Sequence, residues 1–173
     1  MKQVLPDEMV WESGIGMYTD FFPVDLLGEM ASAALTQPDR KLLLDTLQGD
    51  PFPEPFHRAA YHVLDNTPVE AINTLIIKRY ELDEPSTAFD FHHDPEEYEG
   101  WLVLCSLGGL ATLTVIDLNI GQVDFKCEAN TVMVLPAYGT PKLHKVSSPD
   151  PQHGVRPFAF FGHHSHGAQP SAA

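Results

Sequence analysis

Apolar and polar positions change their spacing near residue 71. Before it, Leu26, Leu27, Met30, Ala33 and Ala34 recur at helical spacing. They predict a helix that opens at Pro23-Val24-Asp25, with Asp25 as a possible N-cap, and ends near Thr36. Two further helical stretches are predicted at 40–47 and 57–64, separated by a proline-rich loop at 52–56. The aromatic, glycine-punctuated stretch 11–22 indicates a short strand or an extended arm.

After residue 71 the pattern is typical of strands, with β-branched enrichment, alternation and short turns. About eight β-segments fit a double-sheet jelly roll, a cupin-like double-stranded β-helix. The fold class is therefore predicted to be mainly β with N-terminal helices. The segments are predicted at 73–80, 89–95, 101–107, 111–116, 122–126, 131–135, 142–146 and 155–161.

A chain of 173 residues is expected to form a single domain, 1–173. Within it, 1–70 would be helical and loop support, and 71–162 would be the jelly-roll core. The histidine-containing segment 163–173 is expected to be a flexible tail after the last strand.

The segment Phe89-Asp90-Phe91-His92-His93-Asp94-Pro95 carries the strongest chemical signal. Side chains alternate along an extended chain, so His92 and Asp94 share one face, and His93 points to the other. An imidazole and a carboxylate on one face supply two ligands of a metal site. His144, far downstream, is the candidate third. Two histidines and one carboxylate with open positions suit non-haem Fe(II).

Arg156 is the candidate anchor for an anionic co-substrate. A guanidinium binds a carboxylate through two parallel hydrogen bonds and does not lose its charge. The sequence around Arg156 is apolar on both sides, and a buried charge needs a partner. A surface arginine beside an acidic neighbour is the alternative.

The order His92-x-Asp94, distal His144, then Arg156 on the next strand resembles the 2-oxoglutarate- and Fe(II)-dependent oxygenases, over about Leu75–Gly162. The resemblance implies Fe(II), 2-oxoglutarate and O2 as cofactors. It implies a dioxygenase that hydroxylates its substrate and releases succinate and CO2, with the distal carboxylate of 2-oxoglutarate at Arg156.

AlkB-like and prolyl-hydroxylase-like members carry a tyrosine at the position of Tyr80, and that tyrosine contacts 2-oxoglutarate. The family often places Ser or Thr two residues after the basic residue, where this chain has Phe158. Tyr80 is therefore the candidate replacement contact.

Candidate substrate contacts are His93, Tyr98, Trp101 and Tyr138. Hydroxylation of a small molecule or amino acid ranks first, peptidyl hydroxylation second and AlkB-like nucleic-acid demethylation third. The formal net charge of −14 repels polyanions and argues against a nucleic-acid partner, although it also serves solubility. The alternatives from other classes are a cupin-like non-oxidative metal or ligand binder, and a purely structural jelly roll. Cupins typically show H-x-H rather than H-x-D.

Cys105 and Cys127 fall within predicted strands, which favours buried thiols in a reducing compartment; a disulfide stays open. No apolar run is long enough to span a bilayer, and the first residues have no signal-peptide pattern. A cytoplasmic monomer or homodimer without membrane contact is expected.

Overall fold

The computed structural model describes residues 8–10, 14–83, 90–94, 98–117, 121–137, 143–149 and 152–164. These residues form two α-helices, one 3-10 helix and ten strands. The elements in chain order are β1 Glu8–Val10, β2 Ile15–Tyr18, α1 Val24–Thr36, β3 Lys41–Asp45, the 3-10 helix Thr46–Gln48, α2 Glu54–Asn66, β4 Thr74–Tyr80, β5 Trp101–Ser106, β6 Ala111–Asp117, β7 Gly121–Cys127, β8 Thr131–Pro136, β9 Leu143–Val146 and β10 Arg156–Gly162.

The strands form two antiparallel sheets. The larger has seven strands in the order β1-β2-β8-β5-β10-β4-β3, and the smaller has three in the order β7-β6-β9. Strands from distant parts of the chain are therefore neighbours: β10, the last strand, lies between β4 and β5. Such crossovers bring the two ends of the predicted core segment together.

Each face of the larger sheet covers its own apolar cluster. Helices α1 and α2 pack on one face, where Met30, Phe56 and Phe161 are buried. The other face meets the smaller sheet, and Phe125 and Phe160 lie in the cluster between them. Because both faces are covered, the central strands are apolar on both sides, as the continuous run in β5 suggests.

A proline lies immediately before the first residue of each α-helix. Helix α1 follows Pro23, whose carbonyl accepts a hydrogen bond from the Leu27 N–H at 2.9 Å. No side chain caps it, so the predicted capping role of Asp25 is wrong; Asp25 lies in the first turn. Helix α2 begins at Glu54 and has Pro55 in its first turn. Proline is tolerated there because N–H groups of the first turn have no intrahelical acceptor. The helix therefore starts inside the predicted loop.

The predicted helix at 40–47 is wrong. Residues Lys41–Asp45 form the edge strand β3, which pairs with β4, and a short 3-10 turn follows. Leu42 and Leu44 pack on the helix-side cluster, whereas Leu43 between them is 36% exposed. This alternation has the period of a strand, and pairing with β4 overrides the local helix preference.

The mainly β architecture with helices on the N-terminal side is confirmed, and two facing antiparallel sheets are consistent with a jelly roll. Cys105 and Cys127 are buried and unbonded, so the thiol prediction is confirmed. No helix within the described ranges is long and apolar enough to cross a membrane. Of the predicted tail, residues 165–173 lie outside the described residues, and His164 is buried in a bridge with Tyr98.

Candidate metal centre

His92 and His144 are direct backbone partners. The His92 N–H donates to the His144 carbonyl at 2.9 Å, and the His144 N–H donates to the His92 carbonyl at 3.0 Å. Residues directly opposite each other in an antiparallel pair project to the same side. Their ring centroids are accordingly 4.5 Å apart. Backbone pairing therefore brings two histidines that are remote in sequence onto one surface.

Asp94 completes a three-residue cluster. Its Oδ2 atom lies 3.6 Å from Nε2 of His144. One ligand atom from each of His92, Asp94 and His144 lies within 4.8 Å of the other two. The alternation along 89–95 predicted that His92 and Asp94 share a face, and His144, the candidate third ligand, joins them here.

The ring of His92 is held by a hydrogen bond at 3.0 Å between its Nδ1 atom and the carbonyl of Asp90. A carbonyl only accepts, so Nδ1 carries the proton in this contact, and the Nε2 lone pair is left for a ligand bond. Such a backbone contact fixes both the tautomer and the ring orientation of a metal-binding histidine.

His144 faces the space between the two sheets. It lies opposite Val115 in the β6–β9 pair, and Val115 belongs to the cluster between the sheets. His144 is 5% exposed, while His92 is exposed and Asp94 is partly exposed. The cluster thus has one buried wall and an open side.

Arg156 begins β10 on the same interior side. It shares its face with Phe158 and Phe160, and Phe160 belongs to the cluster between the sheets. Arg156 is 1% exposed, yet its Nε, Nη1 and Nη2 atoms have no hydrogen-bond partner among the described residues. Burial lowers the pKa of its guanidinium, and the nearby Tyr80 and Cys127 oppose that shift. A charged group held this way is costly unless something pairs with it.

Tyr80 supports Arg156 from the neighbouring strand. The two residues are opposite each other in the β4–β10 pair, and the guanidinium carbon lies 4.6 Å from the centre of the Tyr80 ring. Lys78 Nζ lies 4.2 Å from the same ring centre. A cation over an aromatic face is stabilised by the negative charge of that face.

Solved structures share this architecture. An oxidoreductase of the 2OG-Fe(II) oxygenase family from Burkholderia pseudomallei matches over 100% of both chains, with a TM-score of 0.64 and 17% identity. A Pseudomonas putida prolyl-4-hydroxylase matches over 88% of this chain and 93% of its own, with a TM-score of 0.59 and 13% identity. HygX from Streptomyces hygroscopicus, with nickel and 2-oxoglutarate bound, matches over 90% and 86%, with a TM-score of 0.61 and 13% identity.

The chain has the fold of the 2-oxoglutarate/Fe(II) oxygenases. No protein-family model matches the sequence, and no curated protein matches it. The similarity is therefore one of fold. The candidate roles of the site residues rest on the distances and burial described above.

The candidate substrate contacts lie in different parts of this oxygenase fold. His93 is exposed beside the metal cluster. Tyr98 is 5% exposed and packs edge-on to Phe160, with ring centroids 5.1 Å apart. Trp101 packs on the helix-side cluster, away from the interior face. Tyr138 lies outside the described residues. The structure thus brings His93 near the metal cluster and places the rings of Tyr98 and Trp101 in packed clusters.

Gly109 is a residue of this oxygenase fold that the sequence analysis did not single out. It has a φ of +72°, and a Cβ there would lie 3.5 Å from Cγ of Arg156. A side chain at this position would be strained by the backbone conformation, and its Cβ would be in van der Waals contact with the arginine stem. The pair Gly108-Gly109 was the available signal, but nothing in the sequence tied it to Arg156.

Proposed function

We propose that the protein is an Fe(II)- and 2-oxoglutarate-dependent dioxygenase that hydroxylates a small molecule or an amino-acid or peptidyl substrate. Its core would be the double-stranded β-helix of that family. The observation that carries the proposal is the buried guanidinium of Arg156, which has no hydrogen-bond partner in the described part of the chain. It lies on the interior side of the fold that also holds the His92, Asp94 and His144 cluster. A metal cluster alone fits many functions, whereas an added buried cation calls for an anionic ligand.

His92, Asp94 and His144 would hold the metal ion. Two neutral imidazoles and one carboxylate on one side of a metal leave positions open for other ligands, which is the arrangement of non-haem Fe(II) oxygenases. When bound, Fe(II) and 2-oxoglutarate would supply electrons that activate O2, so that one oxygen atom would enter a substrate C–H bond and the other would enter succinate as CO2 leaves.

Arg156 would bind the distal carboxylate of 2-oxoglutarate. Its donors have no competing partner among the described residues, so binding would satisfy them rather than break existing hydrogen bonds. The Tyr80 ring holds the guanidinium from one side, which limits the orientations it can take. The chain's own part is to place this charge and to keep it dry, because a charge pair is stronger where water is excluded.

The open side of the metal cluster would admit the substrate. Phe91 is partly exposed there, and Lys145 Nζ lies 4.5 Å from the centre of its ring. His93 is exposed next to it. The net charge of −14 supports a neutral, zwitterionic or cationic substrate over a nucleic acid.

The proposal is tested first by binding and then by turnover. Purified protein with Fe(II) and 2-oxoglutarate, without oxygen, should show a visible charge-transfer band that is absent in His144→Ala. Admitting air should then yield succinate even without a substrate, and a substrate panel should yield products heavier by one oxygen atom. A band without succinate would point to a non-oxidative binder, and no band would refute the proposal.

A further inference from the structure

Ser106 is the last residue of β5, and its side-chain hydroxyl is buried. The residue is 5% exposed, and its Oγ atom has no hydrogen-bond partner among the described residues. Its backbone carbonyl has a partner, since it accepts a hydrogen bond from the Asn130 N–H at 2.9 Å. Leaving a buried donor unpaired destabilises a fold, so such a group calls for a partner that arrives later.

The register of the sheet places Ser106 on the same face as Arg156. Ser106 is directly opposite Phe158, and Phe158 shares its face with Arg156 two residues earlier on β10. Ser106 and Arg156 are therefore diagonal neighbours across adjacent strands. Side chains in that relation are near enough for a long residue to reach the area of a short one.

The side chain between them donates nothing. Phe158 is the residue that lies two positions after Arg156, and it packs edge-on to Tyr80 with ring centroids 6.0 Å apart. A carboxylate at Arg156 would therefore find no polar group on that part of β10. Of the two strand partners of Phe158, Ser106 on β5 carries a hydroxyl, and Lys78 on β4 has its Nζ atom over the Tyr80 ring.

We infer that Ser106 is a second hydrogen-bond donor to the distal carboxylate of 2-oxoglutarate, beside Arg156. This rests on the proposed function and deepens it by assigning a further contact. Two buried donors, one charged and one neutral, lie on one interior face, and neither has a hydrogen-bond partner within the described ranges. A carboxylate has two oxygens and can accept from both. The rival explanation is an ordered water on Ser106, which would leave the affinity for 2-oxoglutarate independent of the hydroxyl.

The decisive measurement is the dissociation constant of 2-oxoglutarate in the presence of Fe(II) without oxygen. Ser106→Ala should weaken it about tenfold or more, the size expected for a hydrogen bond to a charged group. The ligand-free variant should unfold at the same temperature as the wild type or higher, because an unpaired hydroxyl has been removed. Thr74→Val is the matched control, because it removes a buried hydroxyl at the far end of β4, and it should leave the dissociation constant unchanged.

A second ligand separates the two ends of the co-substrate. 2-Oxovalerate has the same chain length with a methyl group in place of the distal carboxylate, so Ser106→Ala should not change its affinity. Unchanged 2-oxoglutarate affinity in Ser106→Ala would overturn the inference, and so would an equal loss for both ligands. If the wild type itself did not bind 2-oxoglutarate, the proposed function would fail, which is a different result.

Discussion

Arg156 and Tyr80 are partners in the ladder between the last strand and β4, and the guanidinium carbon of Arg156 lies 4.6 Å from the centre of the Tyr80 ring. The ring is the support of a cation that makes no hydrogen bond within the described chain. A cation–π contact is worth about 0.5–2 kcal/mol, which is less than the cost of burying an unpaired charge. The ligand-free protein is therefore expected to be less stable than a variant with an apolar side chain at position 156.

Arg156→Met should raise the free energy of unfolding by about 1 kcal/mol or more while abolishing measurable 2-oxoglutarate binding. Methionine fills similar space without a charge to desolvate, and it cannot pair with a carboxylate. Urea unfolding of the ligand-free proteins gives the stability, and the charge-transfer band gives the binding.

Arg79→Met is the matched control for that experiment. Arg79 lies on the same strand pair but donates to Glu81 Oε1 at 2.7 Å and to the carbonyl of Gln37 at 2.9 Å. The same substitution there should lower the free energy of unfolding by about 1–3 kcal/mol, because it leaves acceptors unpaired. If both variants lost stability equally, the Arg156 guanidinium would not be an unsatisfied charge.

Gly162→Ala should destabilise the protein by about 1–3 kcal/mol, the usual cost of overpacking a filled core. A Cβ at Gly162 would lie 2.6 Å from Cε1 of the Tyr98 ring and 3.1 Å from Cε1 of Phe160. Both rings belong to the cluster between the sheets, so neither can move without disturbing other contacts. Thermal unfolding of the two proteins measures the difference.

Gly28→Ala supplies the contrast. Gly28 lies inside α1, and nothing would lie within 4 Å of a Cβ there. Alanine is the better helix former by about 1 kcal/mol, so this variant should be more stable than the wild type. A Gly162→Ala variant as stable as the wild type would mean that the Tyr98 ring is free to move aside.

The sequence predicted seven of the eight core strands well, because their signal is local. The segment predicted at 89–95 is different: among its described residues 90–94, only His92 is paired, in an isolated bridge with His144. Alternation and β-branched residues mark β4, and an apolar run rich in phenylalanine marks β10. The shared face of His92 and Asp94 follows from the same local rule. The prediction that His144 joins them rested on the family resemblance. The backbone pairing of His92 with His144 joins distant segments, so neither segment alone shows a pattern that predicts it.

Other features depended on contacts that no single segment shows. Strand β3 was predicted as a helix because its own residues carry no clear strand pattern. It forms a strand because it pairs with the edge of β4, which lies elsewhere in the sequence. The burial of Tyr98 depends on the missing side chain of Gly162, far along the chain. The pairing of Ser106 with Phe158 likewise required the register of β5 against β10.

The buried thiol of Cys127 should make the fold less stable at alkaline pH. Burial raises the pKa of Cys127 from its ordinary 9.0 to about 11. Between these values the unfolded chain loses the proton while the folded chain keeps it, so stability falls as pH rises from 9 to 11. Cys127→Ala should therefore show a shallower decline in the free energy of unfolding over this range. Equal slopes in variant and wild type would contradict the protonated, buried thiol.

Metal binding should depend on the face that a histidine occupies and not on its position in the sequence. His92 and His93 are adjacent, but only His92 belongs to the cluster with Asp94 and His144. His92→Ala should therefore lose the stabilisation that Fe(II), added without oxygen, gives the wild type. That stabilisation is about 2.7 kcal/mol at a metal concentration one hundred times the dissociation constant. His93→Ala should keep it in full, as measured by thermal unfolding with and without metal. Loss in both variants would show that the metal is held by the exposed histidine pair and not by a cluster that spans two segments.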